Sequence, residues 1–187
     1  MKARYIPNLI CILRILLVPP VVILMLGGDF ALALLLFAIA GVSDGLDGYL
    51  ARRFDWRSRL GAILDPLADK LLMVSSYTTM GWLGLLPWWL VVLVLLRDVV
   101  IIGGALIYHH LCGYVEMAPT LISKANTVLQ IMLVLLVMII QAGLSLPEFV
   151  LTLFIAAVAI TTLWSGINYV WEWSRRARHC SRGAQGA

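Results

Sequence analysis

Charge is what this 187-residue chain has least of: Asp, Glu, Lys and Arg together make up 13% of it, against 62% hydrophobic residues. A water-soluble globule needs more polar surface than that to coat its exterior, so the soluble classes are excluded and an integral membrane protein is expected. Cysteine is scarce as well. Cys11, Cys112 and Cys180 stand far apart, with neither a pairing pattern nor metal-ligand spacing, which argues against a disulfide framework or a thiolate metal site. Of three histidines, the adjacent His109 and His110 read as headgroup contacts rather than metal ligands. No low-complexity stretch, linker or clear internal repeat divides the chain, so 1–187 reads as a single domain. Met1 to Asn8 is too short and too little patterned for a cleaved targeting segment.

What the chain has in abundance is apolar runs. They fall at roughly 9–26, 30–51, 61–84, 88–108, 121–144 and 149–171, each near the ~20 residues that cross a hydrocarbon core, which predicts an all-α integral membrane fold of six transmembrane helices. The breaks between them, "LGGDF", "ARRFDWRSRLG", "GLLPWW", "YHHLCGYVEMAP" and "GLSLPE", carry turn residues. Lysine and arginine are missing from the "GGD", "GLLP" and "SLPE" loops. Lys2, Arg4, Arg52, Arg53, Arg57, Arg59, Arg175, Arg176, Arg178 and Arg182 all fall on the other side, with the N-terminus, the second loop and the C-terminus. Positive-inside bias therefore puts both termini in the cytoplasm, a parity that six spans satisfy. Because these arginines flank spans, the net charge of +4 reads as charge facing anionic lipid headgroups, with no nucleic-acid partner.

Against that background, four aspartates stand out: Asp44, Asp47, Asp65 and Asp69, at the end of the second run and the start of the third. An aspartate at a helix centre costs ~2.5 to 3.5 kcal/mol on insertion scales, so four of them call for a compensating partner. Asp44 and Asp47 are three apart and Asp65 and Asp69 four apart, so each pair shares a helix face. The segment from Arg53 to Leu60 is the turn that lets the two helices run antiparallel. Converging carboxylates repel one another unless a cation sits among them. Oxygen donors without histidine or cysteine favour Mg²⁺, Mn²⁺ or Ca²⁺ over zinc, and four carboxylates can seat two metals, an arrangement suited to displacement at phosphorus. Small residues at Gly48, Ala51 and Gly61 leave room beside the acids, and Arg52 can pair with phosphate; together they describe a pocket for a phosphorylated ligand.

The stretch "DGLDGYLARRFDWRSRLGAILDPLAD" fits, at every fixed position, the pattern DxxDGxxAR, eight residues, GxxxDxxxD. On these positions the chain resembles the CDP-alcohol phosphotransferase family, with which the six-helix reading also agrees. The resemblance implies an enzyme that moves a phosphatidyl group from a CDP-linked lipid, CDP-diacylglycerol, to an alcohol with release of CMP, using two divalent ions, Mg²⁺ or Mn²⁺. It implies that Asp44, Asp47 and Asp65 hold one metal, that Asp44, Asp65 and Asp69 hold or flank the second, and that Asp69 is the general base on the acceptor hydroxyl. It implies further that Asp44, Gly48, Ala51, Arg52 and Gly61 hold the cytidine diphosphate, with Ser58 a weaker contact.

Arg14, Arg97, Asp98, Lys124, Asn126 and Gln130 are the remaining polar residues within apolar runs. Arg14 and Lys124 can be explained by snorkelling to the interface; Arg97, inside "VLVLLRDVVII", is harder to place that way and can pair with Asp98, with the aspartate cluster or with an anionic acceptor. Arg97, Lys124 and Arg14 are therefore expected to bind an anionic acceptor. The segments "RDVVIIGGALIY" and "MAPTLISKANTVLQ" are similar to those of the CMP-forming cardiolipin synthases, which implies phosphatidylglycerol as acceptor. Phosphatidylglycerophosphate synthases, which use glycerol 3-phosphate, resemble the chain in "IPNLICILRILLVP" but carry glycine and lysine where Ser123 and Asn126 stand. The lack of a transit extension points to a bacterial cytoplasmic membrane, with the site at its cytoplasmic face. Apolar faces look alike whether they meet lipid or a second copy, which leaves a homodimer open. The rival class is a cation or proton transporter, which would place its acids near the bilayer midplane on discontinuous helices.

Overall fold

Runs of about twenty leucine, valine, isoleucine and alanine residues satisfy their backbone polar groups internally as helices, and the computed structural model has six of them in succession. They are α1 (Ile6–Leu26), α2 (Phe30–Arg53), α3 (Gly61–Trp82), α4 (Trp88–Cys112), α5 (Leu121–Gln141) and α6 (Glu148–Gly183). The structure describes the backbone of residues 6–53, 61–112 and 121–183, and the side chains of 11–43, 67–101, 103–104 and 122–169. No strand occurs among the described residues, so the all-helical expectation holds. Two stretches, Ile122–Gln141 in α5 and Glu148–Tyr169 in α6, are long and apolar enough to cross a membrane; Cys11–Leu26 and Phe30–Ser43 are shorter apolar stretches.

The helices divide between two compact units, Met1–Leu86 with Val134–Leu146 and Pro87–Leu133 with Pro147–Ala187. In the first, α1 packs against both α2 and α3. Its buried stripe is Cys11, Arg14, Val21 and Met25, and that of α2 is Phe30, Ala33, Phe37 and Ala40, both at spacings of three, four or seven that keep one face inward. From α3 come Ala68, Leu72, Ser76, Thr79 and Met80, with Tyr77 fully enclosed. In the second unit α4 packs against α6, through a core that includes Leu90, Val91, Val94 and Val158. Outside these narrow stripes large apolar side chains face outward: Leu16, Ile23 and Val42 in the first unit, Leu153, Ile160 and Ile167 in the second. A helix that is apolar all round suits lipid or a deep core, and these outward faces have no core to enter within their own units.

Three helices end in the same way. α1, α3 and α5 run into a glycine in the left-handed region, Gly28 (φ 84°), Gly84 (φ 73°) and Gly143 (φ 108°). The next amide then reaches back: Asp29 N–H to Leu24 O at 2.9 Å, Leu85 N–H to Met80 O at 2.9 Å and Leu144 N–H to Ile139 O at 3.2 Å. This Schellman closure satisfies carbonyls that a helix end leaves open, and any side chain at the glycine would be strained there. These are the same three loops that lack lysine and arginine. One boundary departs from expectation: α6 continues to Gly183 rather than ending near 171. After Tyr169, "VWEWSRRARHCSRG" contains neither proline nor an internal glycine, and its arginines and alanine favour helix, so nothing stops the backbone where the apolar run stops.

Candidate active site

The motif residues sit on two helices of the first unit. Asp44, Asp47, Gly48, Ala51 and Arg52 belong to the last turns of α2, and Gly61, Asp65 and Asp69 to the first turns of α3. Ser58 and most of the Arg53–Leu60 turn lie outside the described residues, as do the side chains of Asp44, Asp47 and Asp65. Both α2 and α3 run unbroken through their aspartates.

Asp69 is the motif acid whose surroundings are described. Its Oδ1 accepts a 2.6 Å hydrogen bond from Arg14 Nη1 of α1, 55 residues away in sequence. The two side chains differ sharply in exposure, 1% for Arg14 and 50% for Asp69. Arg14 thus does not snorkel; it lies in the buried stripe of α1 and meets a carboxylate there. Three hydroxyl residues that follow on α3 are satisfied locally, while Ser76 Oγ is buried with no partner among the described residues. The hydroxyls of Ser75, Thr78 and Thr79 donate to the carbonyls of Leu72, Val74 and Ser75, which is how an otherwise apolar helix carries them.

The second unit holds a separate polar cluster. Arg97, buried on α4, donates from Nη1 to Asp98 Oδ1 at 2.8 Å, and its Nη2 donates to the hydroxyls of Ser123 on α5 and, at 3.0 Å, Ser165 on α6. One guanidinium ties three helices together, with its charge balanced by the adjacent carboxylate. Next to Ser123 on the same face of α5, Asn126 is fully buried and its Oδ1 accepts from Thr161 at 2.8 Å and Thr162 at 2.9 Å. Arg97 Nε and Asn126 Nδ2 are buried donors that meet no acceptor among the described residues. Lys124, by contrast, is exposed. Among the sequence's acceptor candidates, then, Arg97 lies in this cluster, Lys124 lies outside it, and Arg14 pairs with Asp69. Ser165, Thr161 and Thr162 were not singled out in the sequence. Three hydroxyls within five residues of an apolar run was the signal that could have found them.

The family model for CDP-alcohol phosphatidyltransferases matches residues 4–164. The chain belongs to that family. Among CDP-alcohol phosphatidyltransferases it is similar to a "Probable cardiolipin synthase (CMP-forming)" of Drosophila melanogaster, 37% identical over 142 residues, covering 67% of this chain and 44% of the relative. It is similar as well to the human "Cardiolipin synthase (CMP-forming)", 36% identical over 160 residues and covering 77% and 51% of the two chains. A "CDP-diacylglycerol--glycerol-3-phosphate 3-phosphatidyltransferase" of Cereibacter sphaeroides is 41% identical, over a shorter 106 residues that cover 52% and 48%. The chain spans about half the length of the curated relatives it matches.

Four carboxylates at this spacing, with no nitrogen or sulfur donor among them, form a donor set that fits hard divalent ions. The half-exposed Asp69 carboxylate is consistent with that fit, since a ligand or base must be reachable.

Proposed function

We propose that this protein is a CMP-forming cardiolipin synthase embedded in a membrane by its six helices, with both termini on the cytoplasmic side of a bacterial inner membrane. The observation that carries the reading is the eight-position motif on α2 and α3 in a chain of this family whose similar relatives are named cardiolipin synthases over two thirds or more of its length. Outward apolar faces and the lysine- and arginine-free loops support the membrane part. The unbroken helices through the acids speak against a transporter, whose ion sites favour interrupted helices.

In the reaction, the free glycerol hydroxyl of phosphatidylglycerol attacks the phosphatidyl phosphorus of CDP-diacylglycerol. A new P–O bond forms, the P–O bond to CMP breaks, and the hydroxyl proton goes to Asp69. Asp44, Asp47 and Asp65 would hold one Mg²⁺ or Mn²⁺, and Asp44, Asp65 and Asp69 would hold or flank a second. When bound, the ions supply charge neutralisation of the diphosphate and of the departing CMP. Gly48, Ala51 and Gly61 would leave space for the nucleotide and Arg52 would pair with its phosphate, with Ser58 a weaker contact. Arg97 and Lys124 would receive the acceptor's phosphodiester.

Product analysis tests the reading. Purified protein given CDP-diacylglycerol, Mg²⁺ and either phosphatidylglycerol or glycerol 3-phosphate should yield cardiolipin and CMP from the first and little product from the second. The Cereibacter relative favours one alternative, a phosphatidylglycerophosphate synthase. Turnover with glycerol 3-phosphate alone would establish it.

A further inference from the structure

We propose that Arg14 is a positioning residue for the transfer reaction: from α1 it fixes the Asp69 carboxylate, and it makes no contact with the acceptor. The inference rests on the reading above only in taking Asp69 as the group that receives the hydroxyl proton.

Three observations carry it. The first is burial. At 1% exposure, between Cys11 and Val21 on the buried stripe of α1, Arg14 presents no surface to an arriving headgroup. The second is the asymmetry of the pair. Asp69 is half exposed while the guanidinium that binds it is enclosed, so the acid is reachable from outside and the arginine is not. An exposed aspartate on a helix samples several rotamers; one bonded at 2.6 Å to a packed arginine is held to one orientation. The third is the origin of the restraint. α1 packs against both α2 and α3, the helices that carry the four motif acids, so Arg14 transmits the rigidity of that packing to the acid at the end of the motif. The pairing is needed in the other direction as well. A guanidinium enclosed this far without a counter-ion is strongly unfavourable, so Asp69 compensates Arg14 while Arg14 orients Asp69.

The geometry separates this role from acceptor binding by what should change. Misplacing a reacting group by an ångström slows the chemical step without weakening substrate binding, whereas loss of an acceptor contact raises that acceptor's KM. The experiment is steady-state kinetics on the full chain in mixed micelles of CDP-diacylglycerol and phosphatidylglycerol, with Mg²⁺. The variants are Arg14→Gln, Arg14→Lys, Asp69→Glu and the Arg14→Lys/Asp69→Glu double variant. Arg14→Gln should lower kcat on the order of 10²-fold, with both KM values within about two-fold of the parent. The double variant pairs a shorter cation with a longer carboxylate, and should be about ten-fold more active than the product of the two single effects. A ten-fold rise in the phosphatidylglycerol KM of Arg14→Gln at unchanged kcat, on the order of 1.4 kcal/mol of lost binding, would make Arg14 an acceptor contact and overturn the proposal. Simple multiplication of the Arg14→Lys and Asp69→Glu effects would overturn it too, and this cycle decides alone if Arg14→Gln fails to give a cooperative unfolding transition. Failure of the underlying reading looks different: Asp69→Asn would keep its activity, whatever the cycle shows.

Discussion

Asp69 has in Arg14 a partner that the sequence does not announce. The motif itself was legible because its eight positions lie within 26 residues, where helix periodicity alone decides which side chains share a face. The Arg14 contact spans 55 residues and two helices, and nothing local encodes it; a charged residue in an apolar run says only that some partner exists. The consequences of substitution should divide along the same line. Asp44→Asn, Asp47→Asn and Asp65→Asn each remove a charged oxygen ligand and should lose nearly all CMP release, with part of the loss recovered at high Mg²⁺ where a weakened site is refilled. Asp69→Asn should lose about 10² to 10⁴-fold and stay inactive at saturating Mg²⁺, since an amide cannot take the hydroxyl proton. Assays of CMP release against Mg²⁺ concentration check both; full recovery of Asp69→Asn would sink the base assignment. Chelation by EDTA should abolish turnover of the parent, and Mg²⁺ or Mn²⁺ should restore it where Zn²⁺ does not. Recovery with Zn²⁺ in place of Mg²⁺ would contradict the all-oxygen donor set.

The helices were largely readable because length and apolarity set them, and the starts and ends of α1, α3 and α5 fall within a few residues of the apolar runs. The interior of the second unit was not readable in the same way. Ser123 and Asn126 stood out as polar residues in α5, but that Ser165 and Thr162 on α6 meet α4 and α5 depends on how the helices are rotated about their axes. Composition leaves that rotation open. Ser165 also lies one residue beyond the stretch matched to the family, so its part in the Arg97 cluster comes from the geometry alone. Hydrogen bonds between helices in lipid contribute about 0.6 kcal/mol on average and up to about 1.7, because an unfolded chain in the membrane also finds partners. A buried guanidinium puts Ser165 toward the upper part of that range. Ser165→Ala should therefore lower the thermal midpoint of the detergent-solubilised protein, while Ser165→Thr, which keeps the hydroxyl, should not. Equal midpoints for the parent and the alanine variant would show that the Arg97–Ser165 bond does not hold the second unit together.

At the scale of the whole chain, the distribution of charge and the closure of the turns make one argument about topology. Schellman turns close α1, α3 and α5 at Gly28, Gly84 and Gly143, in loops with no lysine or arginine. The basic residues gather instead at the N-terminus, in the segment after α2 and along the extended end of α6. If each helix crosses the bilayer, chain order alone puts every tight loop on one side and every basic segment on the other, because the loops alternate. The length of α6 fits this. At 36 residues it is about 54 Å long, well beyond the ~30 Å hydrocarbon core, so in a six-span arrangement its last turns, which hold four arginines, would extend into water or headgroups. The test uses single cysteines in a background without Cys11, Cys112 and Cys180, probed in oriented vesicles with a membrane-impermeant thiol reagent. Arg57→Cys and Arg178→Cys should react only from the cytoplasmic side, and Glu148→Cys, at the start of α6, only from the opposite side. Labelling of Glu148→Cys from the cytoplasm would remove a span between Arg57 and Arg178. The positive-inside assignment would then fail, even if the aspartates on α2 and α3 kept their chemistry.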